Sequence, residues 1–436
     1  MTKTKLFILL GVFSEIIYIS LFFLNKWRHL SGDTGLVSVN PLMYFLVCAL
    51  LSLSFIAYVF LSRLDMSDKN FKLGIIFFLV FSITIFFIPP LTSIDTYTYI
   101  HTSRVFSVHH ANPYTYAYDT FSNDAFANQI KNIWSNKPTP YAPVFTIISS
   151  IISFIGQKSF YLSLYLFKFA FVFFNIVNCF LIFKITKSKQ ATILYAWNPL
   201  ILFEFGVNAH NDVLTVFFLL LCLYFILKEN FNLKNYYLAL SFLLCSVLIK
   251  FITAFFLPIF FIIAFKQLNN CKEKIKLFIY SFLISLAIIF IAYFPFWQGL
   301  DTFTRVLFHA NHIYHAWIFS SPLIVLFIIL FGMMGFSNFA QIGTLAGKFI
   351  FTIAYPLLIL SLIRKKNINI KNDLIKYFLI SICLFFGSFF TWFMPWYLTL
   401  LLTILVLFFA ENEKKYSTWV INGITLYGIL YYIFLR

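Results

Sequence analysis

Apolar runs of membrane-spanning length follow one another along almost the whole chain, and nothing else constrains its fold so strongly. They fall near 5–24, 41–62, 73–91, 160–184, 191–206, 212–228, 235–249, 251–267, 277–297, 347–364, 374–392, 394–411 and 417–435. In hydrocarbon every backbone donor and acceptor must be satisfied within the protein, and single-segment runs this long do so as helices. The expectation is an all-α polytopic membrane protein with about 13 transmembrane helices, as the apolar runs themselves count out. Composition agrees: 61% of residues are hydrophobic, only 11% are charged, 62 are Phe, and the mean hydropathy is +0.89. The first run, from about Leu6 to Leu24, lacks a small-residue cleavage site and reads as a retained helix. Two shorter runs, 141–156 and 321–336, read as interfacial or re-entrant, because counting them as spans reverses the sidedness of the next basic loop.

A net charge of +17 in a soluble chain would point to nucleic acid, but here the basic residues sit in short loops between apolar runs, where they report topology and anionic lipid. With the N-terminus inside, the cytoplasmic loops collect 21 of the 32 Lys and Arg. All eight histidines (His29, His101, His109, His110, His210, His309, His312 and His315) then fall on the outer side, which places any chemistry there. Five of the six cysteines (Cys48, Cys179, Cys222, Cys245, Cys383) lie in predicted spans and Cys271 in a Lys-rich loop, so they outline neither a disulfide framework nor a metal cluster. The chain divides into N-terminal spans (1–72), a module at 73–297 with an outer loop at 92–159, a second outer loop at 298–346, and C-terminal spans at 347–436. Loops of that length are functional or disordered, and their tyrosines, Trp134 and Trp317 argue for order.

The polar residues of interest gather in these outer segments. In "SIDTYTYIHTSRVFSVHHANPYTY" (93–116), Asp95 follows the third apolar run and so lies at headgroup depth, where a carboxylate can take a proton from a sugar hydroxyl. Tyr97, Tyr99, Arg104, Asn112 and Tyr114 offer ring planes and donors suited to carbohydrate and phosphate. In "LYAWNPLILFEFGVNAHNDVLTV" (194–216), Pro199 ends or kinks a helix and Glu204 lies within about two turns of the outer surface, costly there unless partnered. Asn211 or Asp212 would cap the following span, which accounts for Asp212 but leaves Glu204 and His210 unexplained. Lys250, between two apolar runs, either snorkels to the interface or binds a phosphate beside Arg104 or Arg305. His309, His312 and His315, spaced by three, have no acidic or Cys ligand beside them, which favours hydrogen bonding to sugar or phosphate over zinc. Trp392, Pro395, Trp396 and Tyr397 form an aromatic turn at the outer surface.

Together these stretches resemble the polyprenyl-phosphate-sugar-dependent glycosyltransferases of the GT-C superfamily, and among them the bacterial alpha-mannopyranosyltransferases related to those of lipomannan assembly. The resemblance spans about residues 73 to 411. It rests on the order and spacing of "DTYTY" (95–99), "ANPY" (111–114), "PTPYAP" (138–143, with Tyr141), "AWNPLILFEFGVNAHND" (196–212), Lys250 with Pro258, and "PWY" (395–397). Tyr141-Ala142-Pro143 replaces an expected Tyr-Gly-Pro, and Met394 stands where a polar residue is common. The resemblance implies a GT-C-like fold with interfacial helices in both outer loops. It implies transfer of a single hexose, mannose by this kinship, with inversion, from a polyprenyl-phosphate donor to a glycan or glycolipid acceptor. Asp95 would be the base, and Tyr97, Arg104, Asn112, Tyr114, Tyr141, Glu204, His210, Asn211, Asp212, Lys250, Arg305, Trp396 and Tyr397 would bind substrate. No metal or other cofactor is expected, since Asp95 has no acidic partner at close spacing. The expected partners are donor, acceptor and membrane lipid, not nucleic acid, in a bacterial plasma membrane with the site facing the periplasmic or extracellular side. An O-antigen-type polymerase or ligase would want more outer arginines than Arg104 and Arg305 for a diphosphate. A lipid-linked-sugar flippase would want polar residues at mid-membrane depth.

Overall fold

The computed structural model describes residues 2–30, 40–127, 129, 134–228, 231–300, 302, 320–412 and 415–434. Its elements are helices joined by turns: α1 (Lys3–Leu30), α2 (Pro41–Ser62), α3 (Asp68–Phe86), α4 (Asp95–Ser107), α5 (Pro143–Gly156), α6 (Phe160–Thr186), α7 (Lys189–Ala196), α8 (Pro199–Leu202), α9 (Asp212–Ile226), α10 (Leu233–Val247), α11 (Phe256–Lys266), α12 (Cys271–Tyr293), α13 (Pro322–Met333), α14 (Phe339–Arg364), α15 (Ile370–Ser388), α16 (Leu398–Asn412) and α17 (Lys415–Phe434). The chain is thus an all-helical integral membrane protein. The expected count of 13 spans is not what helix length supports. Six helices are long and apolar enough to cross a membrane, seven if Pro199–Val207 and Asp212–Ile226 are one bent span, and six further apolar helices are shorter.

Short polar residues set the helix starts. Asn40, Ser67, Ser159, Ser188, Asn232, Asn270 and Asn369 each accept a hydrogen bond from a backbone N–H of the first turn they precede. The Lys3–Asp65 and Lys189–Asp68 ion pairs, with Gln190 donating to the Ser62 carbonyl, draw the start of the chain and the 63–67 and 187–190 turns to one end. Lys266 donates to the carbonyls of Ile363 and Lys365, joining two further basic turns. The candidate site lies at the opposite ends of these helices.

Both segments read as interfacial are short helices. On α5, Thr146, Ser149, Ser150 and Ser153 are buried while Ile151, Phe154 and Ile155 are exposed, so the polar side packs inward and the apolar side faces out. Helix α13 runs back along the start of α14, which begins at Phe339, eight residues before the expected 347. Cβ atoms at Gly343 and Gly347 would stand 2.6 Å from Ile328 and 2.8 Å from the Ser388 carbonyl, so the close approach requires glycine.

Candidate functional site

The site is built on a broken helix. After α7, Asn198 accepts from the amides of Leu200 and Ile201 and starts α8 at Pro199. A wider π-type turn follows at Phe203–Val207, Ala209 takes a left-handed φ of 56°, and the chain leaves as α9 at 115°. Lys168, wholly buried inside α6, donates to the Gly206 carbonyl at 2.5 Å and the Val207 carbonyl at 3.0 Å, satisfying acceptors the break leaves open. Asn208 then fastens the break to the chain ahead of α4. Its Oδ1 accepts from the amides of Leu91 (3.3 Å) and Thr92 (3.2 Å), and its carbonyl accepts from the Thr96 hydroxyl at 2.7 Å. This latch brings Asp95, on the first turn of α4, against His210.

His210 stands between two carboxylates: Nδ1 is 3.4 Å from Asp95 Oδ2 and Nε2 is 3.4 Å from Glu204 Oε2, ion-pair distances at which neither nitrogen makes a hydrogen bond. Its ring stacks on Trp396 with centroids 4.1 Å apart. Behind it, Tyr432 donates to Glu204 Oε1 at 2.5 Å and Asn208 Nδ2 to Oε2 at 3.2 Å. Beside it, Lys250 grips both oxygens of Asp212, at 2.9 and 2.8 Å, and its ammonium lies 4.2 Å from the centre of the Tyr397 ring. Tyr99 accepts from the Asn211 amide at 3.3 Å and packs edge-on against Tyr141. Burial, then Tyr141 and the Asp95 and Asp212 carboxylates, hold the Tyr99 phenol well above its ordinary pKa. Burial, then Asp95 and Tyr397, do the same for Tyr141, so both remain protonated donors. Among the described residues no three His, Cys, Asp or Glu side chains are placed to hold a metal ion.

The structure therefore gathers Asp95, Tyr141, Glu204, His210, Asn211, Asp212, Lys250, Trp396 and Tyr397. Four residues expected to bind substrate are engaged elsewhere in the loop. Arg104 is corrected from a phosphate ligand to a buried structural cation: Nε and Nη2 hold Asp124 at 2.9–3.0 Å and Nη1 donates to the Gln157 carbonyl. Tyr97 stacks on Phe160, Asn112 donates to the Phe296 carbonyl at 2.8 Å, and buried Tyr114 bonds the Tyr141 carbonyl and Thr146. Glu204 and His210 are fully buried, with no face for a substrate, and Asn211 supplies no capping bond to α9. Its side-chain nitrogen and oxygen are buried without a hydrogen-bond partner. Arg305, His309, His312, His315 and Trp317 lie outside the described residues.

Around Arg104 the loop builds its own core. Asp124 also accepts from Tyr118 at 2.6 Å and the Phe126 amide at 2.8 Å, and contacts His109 Nε2 at 2.7 Å. His101 stacks on Tyr118. Burial alone would raise the Asp124 pKa, but the bonds from Arg104, Tyr118 and Phe126 bring it down to about 2. Burial pushes the His101 imidazole down to about 4, so it is neutral at physiological pH.

Sequence reasoning missed Lys168, Asp124 and Tyr432, and read Asn208 only as part of a turn. A lysine in the middle of a 27-residue apolar helix was a signal for Lys168; Tyr432, 228 residues from Glu204, carried none.

A family model described as Alpha-(1->6)-mannopyranosyltransferase, N-terminal domain, matches residues 23–266. No curated protein and no solved structure matches the chain.

Proposed function

Because the chain belongs to this alpha-(1->6)-mannopyranosyltransferase family and is a membrane glycosyltransferase, we propose that it moves a single mannose from a polyprenyl-phosphate donor to a hydroxyl of a glycan or glycolipid acceptor, with inversion, at the outer face of a bacterial plasma membrane. The observation that carries the reading is the unequal exposure of the three clustered acids. The Asp95 side chain is 21% exposed, Glu204 is 0% and Asp212 is 4%. Asp95 alone can meet an acceptor hydroxyl, and Lys250 does not hold it.

In this mechanism Asp95 takes the acceptor proton as the hydroxyl oxygen attacks the anomeric carbon. The bond to the phosphate breaks with its electron pair, the diester becomes a monoester, and a good leaving group of this kind needs positive charge more than an acid. Lys250 is the cation of the cluster, poised by Asp212 and seated over Tyr397. An arriving phosphate would share its ammonium with Asp212, while the partly exposed Tyr141, backed by the buried Tyr99, offers a protonated phenol beside it. No step requires a metal. The exposed apolar faces of α5 and α6, at Ile151, Phe154, Phe169 and Phe173, suit lipid and the donor's polyprenyl tail.

The test uses protein in lipid nanodiscs, a labelled polyprenyl-phosphate mannose and a panel of mannoside acceptors, with wild type and Asp95→Asn at equal folded amounts. Turnover is expected to fall by about 10²–10⁴-fold in the variant, the worth of a general base. Equal turnover moves the base elsewhere, and absence of turnover with every lipid-monophosphate sugar removes the donor class.

A further inference from the structure

We infer that Asp95, His210 and Glu204 form a proton relay, in which the proton taken from the acceptor passes through the imidazole and is stored on Glu204 while the site is occupied. The inference rests on the reading of Asp95 as the base and extends it inward, to two residues that no substrate can touch.

Geometry is the first support. The two nitrogens of one imidazole face two carboxylates at equal distances of 3.4 Å, and Trp396 stacks on the ring face and fixes its plane. A neutral imidazole carries one N–H, so it can satisfy only one of the two acids, and the other faces a ring lone pair until it gains a proton. The arrangement is therefore built around a shared proton whose position can change. Burial is the second support: exposure falls from Asp95 (21%) to none at His210 and Glu204, a line running from the exposed edge of the site into the protein. The third is how the inner end is held. Tyr432 and Asn208 bond one Glu204 oxygen each, which orients the carboxyl and leaves Oε2 facing His210. A buried carboxylate is costly unless hydrogen-bonded, and these two donors offset part of that cost for the ionised form that must receive the proton.

The step balances as follows. The acceptor O–H breaks as its oxygen bonds the anomeric carbon, and the proton goes to Asp95. Asp95 passes it to His210 Nδ1, and the proton on Nε2 moves to Glu204 Oε2, leaving Asp95 ionised and His210 neutral in its other tautomer. When product departs, the same path run backwards returns the proton through Asp95 to water. Among the described residues the charged and titratable groups facing this line are Asp212 on α9 with its partner Lys250, Tyr99 on α4, Tyr141 ahead of α5, Tyr397 ahead of α16, and Tyr432 on α17.

The experiment reads steady-state kinetics and single-turnover rates against pH, in H2O and in H2O–D2O mixtures, for wild type, Asp95→Asn and Glu204→Gln in nanodiscs. Gln keeps a partner for Tyr432 and Asn208 but cannot take a proton as the acid does. Expected for Glu204→Gln are KM values for donor and acceptor within about twofold of wild type, a kcat about tenfold or more lower, within the range general acid–base groups contribute, and an altered pH profile. The wild-type rate should curve with deuterium fraction, as two protons in flight require, and the variant's should be linear. A linear wild-type dependence overturns the relay even if the variant fails to fold. So does a Glu204→Gln enzyme as fast as wild type while Asp95→Asn is dead, an outcome that leaves Asp95 as the base. Full activity of Asp95→Asn overturns the underlying reading itself.

Discussion

His101 and Asp124 give the outer loop a definite response to acid. The folded pKa of each lies below its unfolded value, at about 4 for His101 against an ordinary 6.5, and at about 2 for Asp124 against 3.8. A depressed pKa contributes stability that is complete above the unfolded value and is lost as pH falls through the folded one. The His101 contribution is therefore whole above about pH 6.5 and lost by about pH 4, whereas the Asp124 contribution survives to lower pH. Protection from hydrogen exchange over residues 97–126, measured against the intrinsic rate at each pH, should fall between pH 6.5 and 4 in the wild type. In His101→Phe, which keeps a ring to stack on Tyr118, that component should disappear. Unchanged protection across the window would mean that His101 does not couple to the order of the loop. Arg104 shows why the loop was misread from sequence. Its partner Asp124 sits twenty residues away in a stretch without periodic pattern, so a cation already fully paired looked available to a phosphate.

The broken helix was legible in part. Asn198-Pro199 announces an interruption, and Glu204, His210 and Asp212 stood out because polar groups in an apolar run need a reason. What holds the interruption open was not legible, because it consists of a lysine bonding backbone carbonyls and an asparagine latching onto a turn more than 110 residues earlier. Neither partner is a side chain with a pattern to find. Lys168→Met keeps the length and apolar stem but leaves the Gly206 and Val207 carbonyls without this donor, at about 1–3 kcal/mol for buried groups left unpaired. The expected result is faster hydrogen exchange at 203–211, with kcat and KM changed together because the break carries both the relay and Asp212. A change confined to α6, with wild-type kinetics, would show that the break stands without Lys168.

Across the whole molecule the site is assembled from both halves of the chain. The family match ends at residue 266, after Lys250, and so includes Asp95, Glu204, Asp212 and Lys250. Trp396, Tyr397 and Tyr432 come from beyond it, and they seat His210, Lys250 and Glu204 respectively. On the proposed mechanism the first part thus carries the reacting charges, while Trp396, Tyr397 and Tyr432 hold them in position. That division predicts a contrast between two tryptophans of the C-terminal part. Trp396 stacks on His210; Trp419 is exposed, with Arg63 over its ring, at the end carrying the basic turns. Trp396→Ala should lower kcat by about tenfold, a share of what a positioned base contributes, with little change in thermal stability because its ring is only half-buried. Trp419→Ala should leave turnover at the wild-type level. Equal effects would mean that the C-terminal helices act on the bundle as a whole. The expected contrast would make them a part of the site that the first 266 residues cannot supply.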